Sequence, residues 1–139
     1  MAKRTTDRGP AVAQAVTVAE QAVNNISVTI QDRVGPVSLK GVFTITNPAA
    51  QTPTDTVMIA KNGVLFGGAL SSLTHIASDR LQGVVEAEDQ AVVGDIYTLR
   101  ISSTVAGAGH ELVAGQTSLT VEALGQDAAL VAGIGPATA

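Results

Sequence analysis

A chain of 139 residues is the size of one domain and can bury an ordinary core without a disulfide or a metal staple. It contains no cysteine, which removes disulfide frameworks, thiolate metal sites and thiol nucleophiles together. A formal net charge of −4 and a pI near 4.9 argue against a duplex DNA binder, which carries a basic patch, so no nucleic-acid partner is expected.

Charged residues make up 14% of the chain, against roughly 25% in ordinary globular domains. Apolar residues are 45% but aromatics only 2%, so the core must be built from Val, Ala, Ile and Leu. A surface low in charge points to faces that meet other protein.

Residues 1–10 show no period and read as a flexible N-terminal arm. Lys3, Arg4 and Arg8 give it a basic character and are candidate partner-binding residues; the plainer reading is a solvated start. No apolar stretch follows this basic start, so it does not read as a signal peptide. Residues 11–23 are ambiguous. Val12, Val16, Ala19 and Val23 fit one helical face, whereas Val16-Thr17-Val18 is β-like. A strand over residues 15–19 is the preferred reading.

From Ile26 onward the period is two. Apolar and polar residues alternate through Ile26-Ser27-Val28-Thr29-Ile30-Gln31, then through Val37-Ser38-Leu39-Lys40 and Phe43-Thr44-Ile45-Thr46. Strand side chains point to alternate faces, so this pattern predicts sheets with one face buried and one wet. Residues 55–61 form the next strand, with Val57 and Ile59 inward. Asn62-Gly63 then joins it to Val64-Leu65-Phe66, a pairing that predicts a type I′ hairpin. Strands follow at residues 70–77 and 81–87, with Gly83 marking a possible bulge. The strand over residues 96–103 turns Tyr97, Leu99 and Ile101 inward. A short strand at 110–114 precedes a last one at 118–124, with Leu119, Val121 and Ala123 inward. Short strands at this spacing make a sandwich or a barrel. Residues 125–139 are rich in Ala and Gly, with Leu130, Val131 and Ile134 the only sizeable apolar groups. They read as a tail, frayed alone or docking on a partner, and are too short to span a membrane.

The search for chemistry is short. His75 and His110 are the only histidines, and neither belongs to a ligand spacing such as His-Glu-x-x-His. There is no Gly-x-Ser-x-Gly elbow and no phosphate-binding glycine loop. Glu86, Glu88, Asp89 and Asp95 could hold a hard cation, but they lack a calcium-loop pattern and read as a solvated strand end. No catalytic residue, metal site or cofactor is therefore expected, and the chain reads as a non-enzyme.

The order of strands carries a resemblance. An alternating strand over residues 37–46 precedes Val57-Met58-Ile59-Ala60-Lys61-Asn62-Gly63. Gly94-Asp95-Ile96-Tyr97-Thr98-Leu99-Arg100-Ile101 and Ser118-Leu119-Thr120-Val121-Glu122-Ala123-Leu124 follow. Over residues 15–124 this resembles the tumour-necrosis-factor-like jelly roll of phage structural proteins and bacterial surface proteins. The resemblance implies a two-sheet antiparallel sandwich that assembles as a homotrimer, with an immunoglobulin-like sandwich as the alternative fold. It leads to a domain over residues 11–124 flanked by the arm and the tail. The expected role is a head decoration (cement) protein of a tailed bacteriophage, located on the capsid surface of the virion. Its partner would be the major capsid protein, reached through Lys3, Arg4, Arg8, Leu130, Val131 and Ile134. A phage fibre, tail or bacterial surface module that recognises a cell or a glycan is the alternative.

Overall fold

The computed structural model describes residues 4–31, 35–48, 51–76, 79–107 and 109–124. The described residues form eleven strands and no helix: β1 (Arg4–Gly9), β2 (Gln14–Ala15), β3 (Gln21–Ala22), β4 (Val28–Thr29), β5 (Pro36–Asn47), β6 (Thr54–Lys61), β7 (Val64–Thr74), β8 (Asp79–Gln90), β9 (Ile96–Ser103), β10 (Glu111–Leu112) and β11 (Thr117–Ala123).

They make two antiparallel sheets. In the first, β5 is central: it pairs with β8 along its whole length on one edge, and with β11 and then β10 on the other. Strand β1 extends this sheet beyond β11, and β2 extends it beyond β10. The second sheet runs β3-β9-β6-β7, with β4 also on β9. Strands that are neighbours in sequence repeatedly change sheet, which makes a jelly roll and not an immunoglobulin-like sandwich.

The alternation read from the sequence decides what lies between the sheets. Val37, Leu39, Phe43 and Ile45 of β5 face Val57 and Ile59 of β6 and Tyr97, Leu99 and Ile101 of β9, all without solvent exposure. Leu119 and Val121 complete the layer from β11. Tyr97 is the largest buried side chain, and Phe66 packs against it with ring centroids 6.1 Å apart. Ile26, Val28 and Ile30 are buried as the alternation requires, although only Val28–Thr29 pair as a strand. The Asn62-Gly63 turn has positive φ at both residues, 52° and 82°, as a type I′ hairpin demands.

Four readings are corrected. Arg4–Gly9 is a paired strand and not an arm; its inward positions are Thr5, Asp7 and Gly9, so the period existed without an apolar signal. Residues 11–23 are neither a helix nor one strand at 15–19. They carry two short pairings, β2 and β3, with Gln14 bridging them through Ala22 O and Asn24 N. Gly83 is not a bulge, since β8 stays in register with β5 through Phe43↔Gly83. It is glycine because a Cβ there would stand 2.4 Å from Leu73 Cδ1, where the edges of the two sheets meet. The register break lies instead between Met58 and Ala60, which pair with Leu70 and Leu65. Fourth, Thr44, expected on the wet face, is buried and donates its hydroxyl to Gln116 O.

Gly41 faces the middle of the core, where a Cβ would lie 2.8 Å from Leu99 Cδ2 and 3.0 Å from Val85 Cγ1. Gly41→Val should therefore lower stability by about 1–3 kcal/mol, as overpacking does. The urea midpoint should fall with an unchanged slope; an unchanged midpoint would mean that this layer has room the packing does not show.

Candidate functional site

Two features stand out beyond the core. One is a buried cluster at the pole of the sandwich where β6 and β8 begin and β7 ends. Asp55, the second residue of β6, points inward with no exposure. His75 follows the last residue of β7 and is anchored by its amide on Pro53 O at 2.9 Å. His110 precedes β10, and its carbonyl accepts from the Val16 amide at 2.9 Å. Both imidazoles converge on one carboxylate oxygen: Asp55 Oδ2 lies 2.6 Å from His75 Nε2 and 2.9 Å from His110 Nε2. The rings meet edge to face with centroids 5.2 Å apart.

The far nitrogens are also held. His75 Nδ1 lies 2.7 Å from Asp79 Oδ1, and His110 Nδ1 lies 3.1 Å from Val105 O. Every ring nitrogen thus faces a carboxylate or carbonyl oxygen within hydrogen-bond distance. Asp79 accepts the Ile76 amide on its other oxygen at 2.9 Å. Burial raises the Asp79 carboxyl, but the His75 and Ile76 hydrogen bonds outweigh it and hold the group below its ordinary value. Asp55 Oδ1 is buried and accepts no hydrogen bond. Asn47, the Cα partner of Asp79, donates to Ile76 O and Gln51 O and braces the same pole. Asp55, His75 and His110 are fully enclosed, so in this arrangement the cluster acts on the fold and not on a substrate.

No local spacing announces this meeting. The histidines stand 20 and 55 residues from Asp55, beyond any local ligand pattern. Their one signal was an apolar or small neighbour, Ile76 beside His75 and Gly109 beside His110, which says nothing of partners.

The second feature is the outer face of the first sheet. Arg4, Thr6 and Arg8 of β1 lie beside Glu122, Thr120 and Ser118 of β11. Ser38 and Lys40 of β5 come next, followed by Glu88 and Glu86 of β8. A groove of about 420 Å³ runs among Arg4, Lys40, Thr120, Glu86 and Glu122. Opposite charges stand on paired positions, Arg4↔Glu122 and Lys40↔Glu86, yet none of these four forms an ion pair among the described residues. The edge strand β1 carries Arg4 and Arg8 and the edge strand β8 carries Glu86 and Glu88, with Arg80 at the far end of β8; between them Glu122 and Lys40 alternate in sign.

The acidic group read from the sequence is split. Glu86 and Glu88 lie on this outer face, whereas Asp89 and Asp95 bind Lys61 at 2.8 Å and 3.4 Å on the opposite side of the sheet. Tyr97 donates its hydroxyl to Asp89 at 2.7 Å, and burial together with Asp89 holds that phenol un-ionised. Arg100 pairs with Glu20. Of the partner-binding candidates, Arg4 and Arg8 are exposed on β1, while Lys3, Leu130, Val131 and Ile134 lie outside the described residues.

No family model matches the chain, and no curated protein matches it. Among solved structures it is similar to Eiger TNF from S. frugiperda, with a TM-score of 0.56 and 8% identity over 88% of this chain and 92% of that one. The fold is therefore a TNF-like jelly roll.

Two outcomes follow from these geometries. Asp55→Asn removes the charge that both imidazoles share and should cost roughly 3–5 kcal/mol, as breaking a buried pair does; chemical denaturation checks this. Burial raises the Asp95 carboxyl, but the Val92 amide, Asn62 and Lys61 hold it below its ordinary value. A lowered folded value means stability that is full above the ordinary carboxylate range and is lost as pH falls through the folded one. Asp95→Asn should flatten the fall in melting temperature below about pH 4, and an unaltered acid limb would remove Asp95 as its source.

Proposed function

We propose that this chain is a virion structural protein, a head decoration (cement) protein of a tailed bacteriophage, that works as a homotrimer on the capsid surface. The observation that carries the reading is the opposite charge of the two edge strands of the first sheet, Arg4 and Arg8 on β1 against Glu86 and Glu88 on β8. A basic β1 edge and an acidic β8 edge suit a head-to-tail contact, in which the basic edge of one copy meets the acidic edge of the next. Such heterologous contacts close into rings, and a two-fold contact would set like edges in less favourable register. Thr6, Ser118 and Thr120 between the charges are small and uncharged, so covering them costs little.

The shell contact follows from where the chain ends leave the domain. Arg4 pairs with Glu122, and the Leu124 amide bonds Pro36 O, so residues 1–3 and 125–139 join the domain at one pole. The same pole exposes Val64, Leu65, Val92, Val93 and Ile96 around the β6–β7 turn, bound together by Asn62 to Ile96 hydrogen bonds. An apolar pole rimmed by polar groups is a protein-binding surface. A capsid subunit bound there would favour the assembled shell by mass action.

Light scattering should give a mass near three chains, and the double reversal Arg4→Glu with Arg8→Glu on the β1 edge should reduce it to one. A wild-type monomer would end the trimer reading. Proteomics of heads purified from the phage that encodes the chain should find it at a fixed ratio to the capsid protein; its absence from those heads would end the decoration reading.

A further inference from the structure

We propose that Asp55, His75 and His110 form a structural binding site for one zinc ion, which would clamp the β6 start to the segments after β7 and before β10. The site lies within one chain and does not rest on the assembly reading.

Three observations carry it. First, the donor set is one carboxylate and two imidazoles, with the three donor atoms all within 4.8 Å of one another. Two nitrogens and an oxygen are borderline ligands that suit a first-row divalent ion, zinc above all for a site with no redox partner. Second, the outer contacts already select the tautomer that a metal needs. His75 Nδ1 faces the Asp79 carboxylate and His110 Nδ1 faces the Val105 carbonyl, so each proton is kept on Nδ1 and Nε2 is directed at Asp55. A carboxylate or a carbonyl behind each ligating histidine is the recurrent support of zinc sites. Third, Asp55 Oδ1 is buried with no hydrogen-bond partner, which leaves a second oxygen free to complete coordination. An unsatisfied carboxylate oxygen at such a depth is costly without a cation.

The exchange balances. Without metal, any proton between Nε2 and Asp55 Oδ2 is the one that zinc must displace. Protons displaced from that place leave to solvent, and zinc is held by two neutral imidazoles and one carboxylate. Zinc bonds of 2.0–2.2 Å put neighbouring tetrahedral donors about 3.3 Å apart, so the rings must withdraw from Asp55 by roughly 0.4–0.7 Å. Ile76 beside His75 and Val105, whose carbonyl faces His110, are both exposed, so solvent lies close to the cluster. That leaves a short path for metal entry when the pole opens.

The test uses the full chain without a histidine tag, unfolded in guanidinium and refolded with zinc or with chelator, with loose metal removed by gel filtration. Elemental mass spectrometry should find one zinc per chain, and the zinc form should melt at higher temperature. Cobalt(II) refolded in the same way should give the visible absorption bands of a tetrahedral N/O site. His110→Gln should abolish retention, and Asp79→Asn should weaken affinity by 10–100-fold while the domain still folds, as loss of a supporting contact does. Wild-type protein that retains no zinc, or zinc held equally by His110→Gln, overturns the proposal. Should His110→Gln fail to fold, a wild-type cobalt form without tetrahedral bands overturns it as well.

Discussion

The register of β5 against β8 is the constraint on which the other features depend. Twelve consecutive pairs run from Pro36↔Gln90 to Asn47↔Asp79 without a break. Because side chains alternate along a strand, a slip by one residue would exchange the two faces of the sheet. Leu39, Phe43 and Ile45 would then meet water, and Lys40 and Glu86 would enter the core. The same pairing fixes the poles. At one end it sets Pro36 beside Gln90; at the other it sets Asp79 beside Asn47 and so within reach of His75. The charged face and the histidine cluster are thus two consequences of one alignment.

Alternation was legible in the sequence wherever the buried positions were apolar. The β5, β6, β9 and β11 segments could be read with their inward residues because Val, Ile and Leu mark every second place. The Asn62-Gly63 hairpin was legible for a different reason, since few other dipeptides accept positive φ twice. Where inward positions are not apolar, the signal vanishes. Strand β1 buries Gly9 and half-buries Thr5 and Asp7, and it takes its place from hydrogen bonds to β11, a partner more than a hundred residues away. The segment around β2 and β3 is similar: buried Gln14 satisfies backbone groups on Ala22 and Asn24, and no propensity scale encodes such a bridge.

The histidine cluster was illegible for a topological reason. A jelly roll sends successive strands to different sheets, so residues that meet at a pole come from distant parts of the chain. Asp55, His75, Asp79 and His110 each lie at or next to the end of a strand, and only the fold makes them neighbours. Metal motifs that are visible in a sequence are those on one helix or one hairpin, where spacing and contact coincide. Here, spacing carried no information about contact.

The cluster is also hard to justify by stability alone. Two imidazoles and two carboxylates taken from water bear a desolvation cost that mutual attraction only partly returns, and an apolar set of equal volume is often as stable or more so. Elsewhere the chain follows the cheaper course: its core is aliphatic, and its other buried polar residues mostly satisfy backbone groups. With aromatics at 2%, the aliphatic core gives less burial per side chain than a core rich in large rings. A polar cross-link between the strand ends at one pole supplies what that core does not: a direction-specific tie among loops that hydrophobic packing alone would leave free to shift. A bound cation would give that tie its full value, because it offsets both carboxylates at once and needs only neutral rings. The pole with the cluster would then be the rigid one, and the opposite pole, with the chain ends and exposed valines, would remain the surface available to a partner.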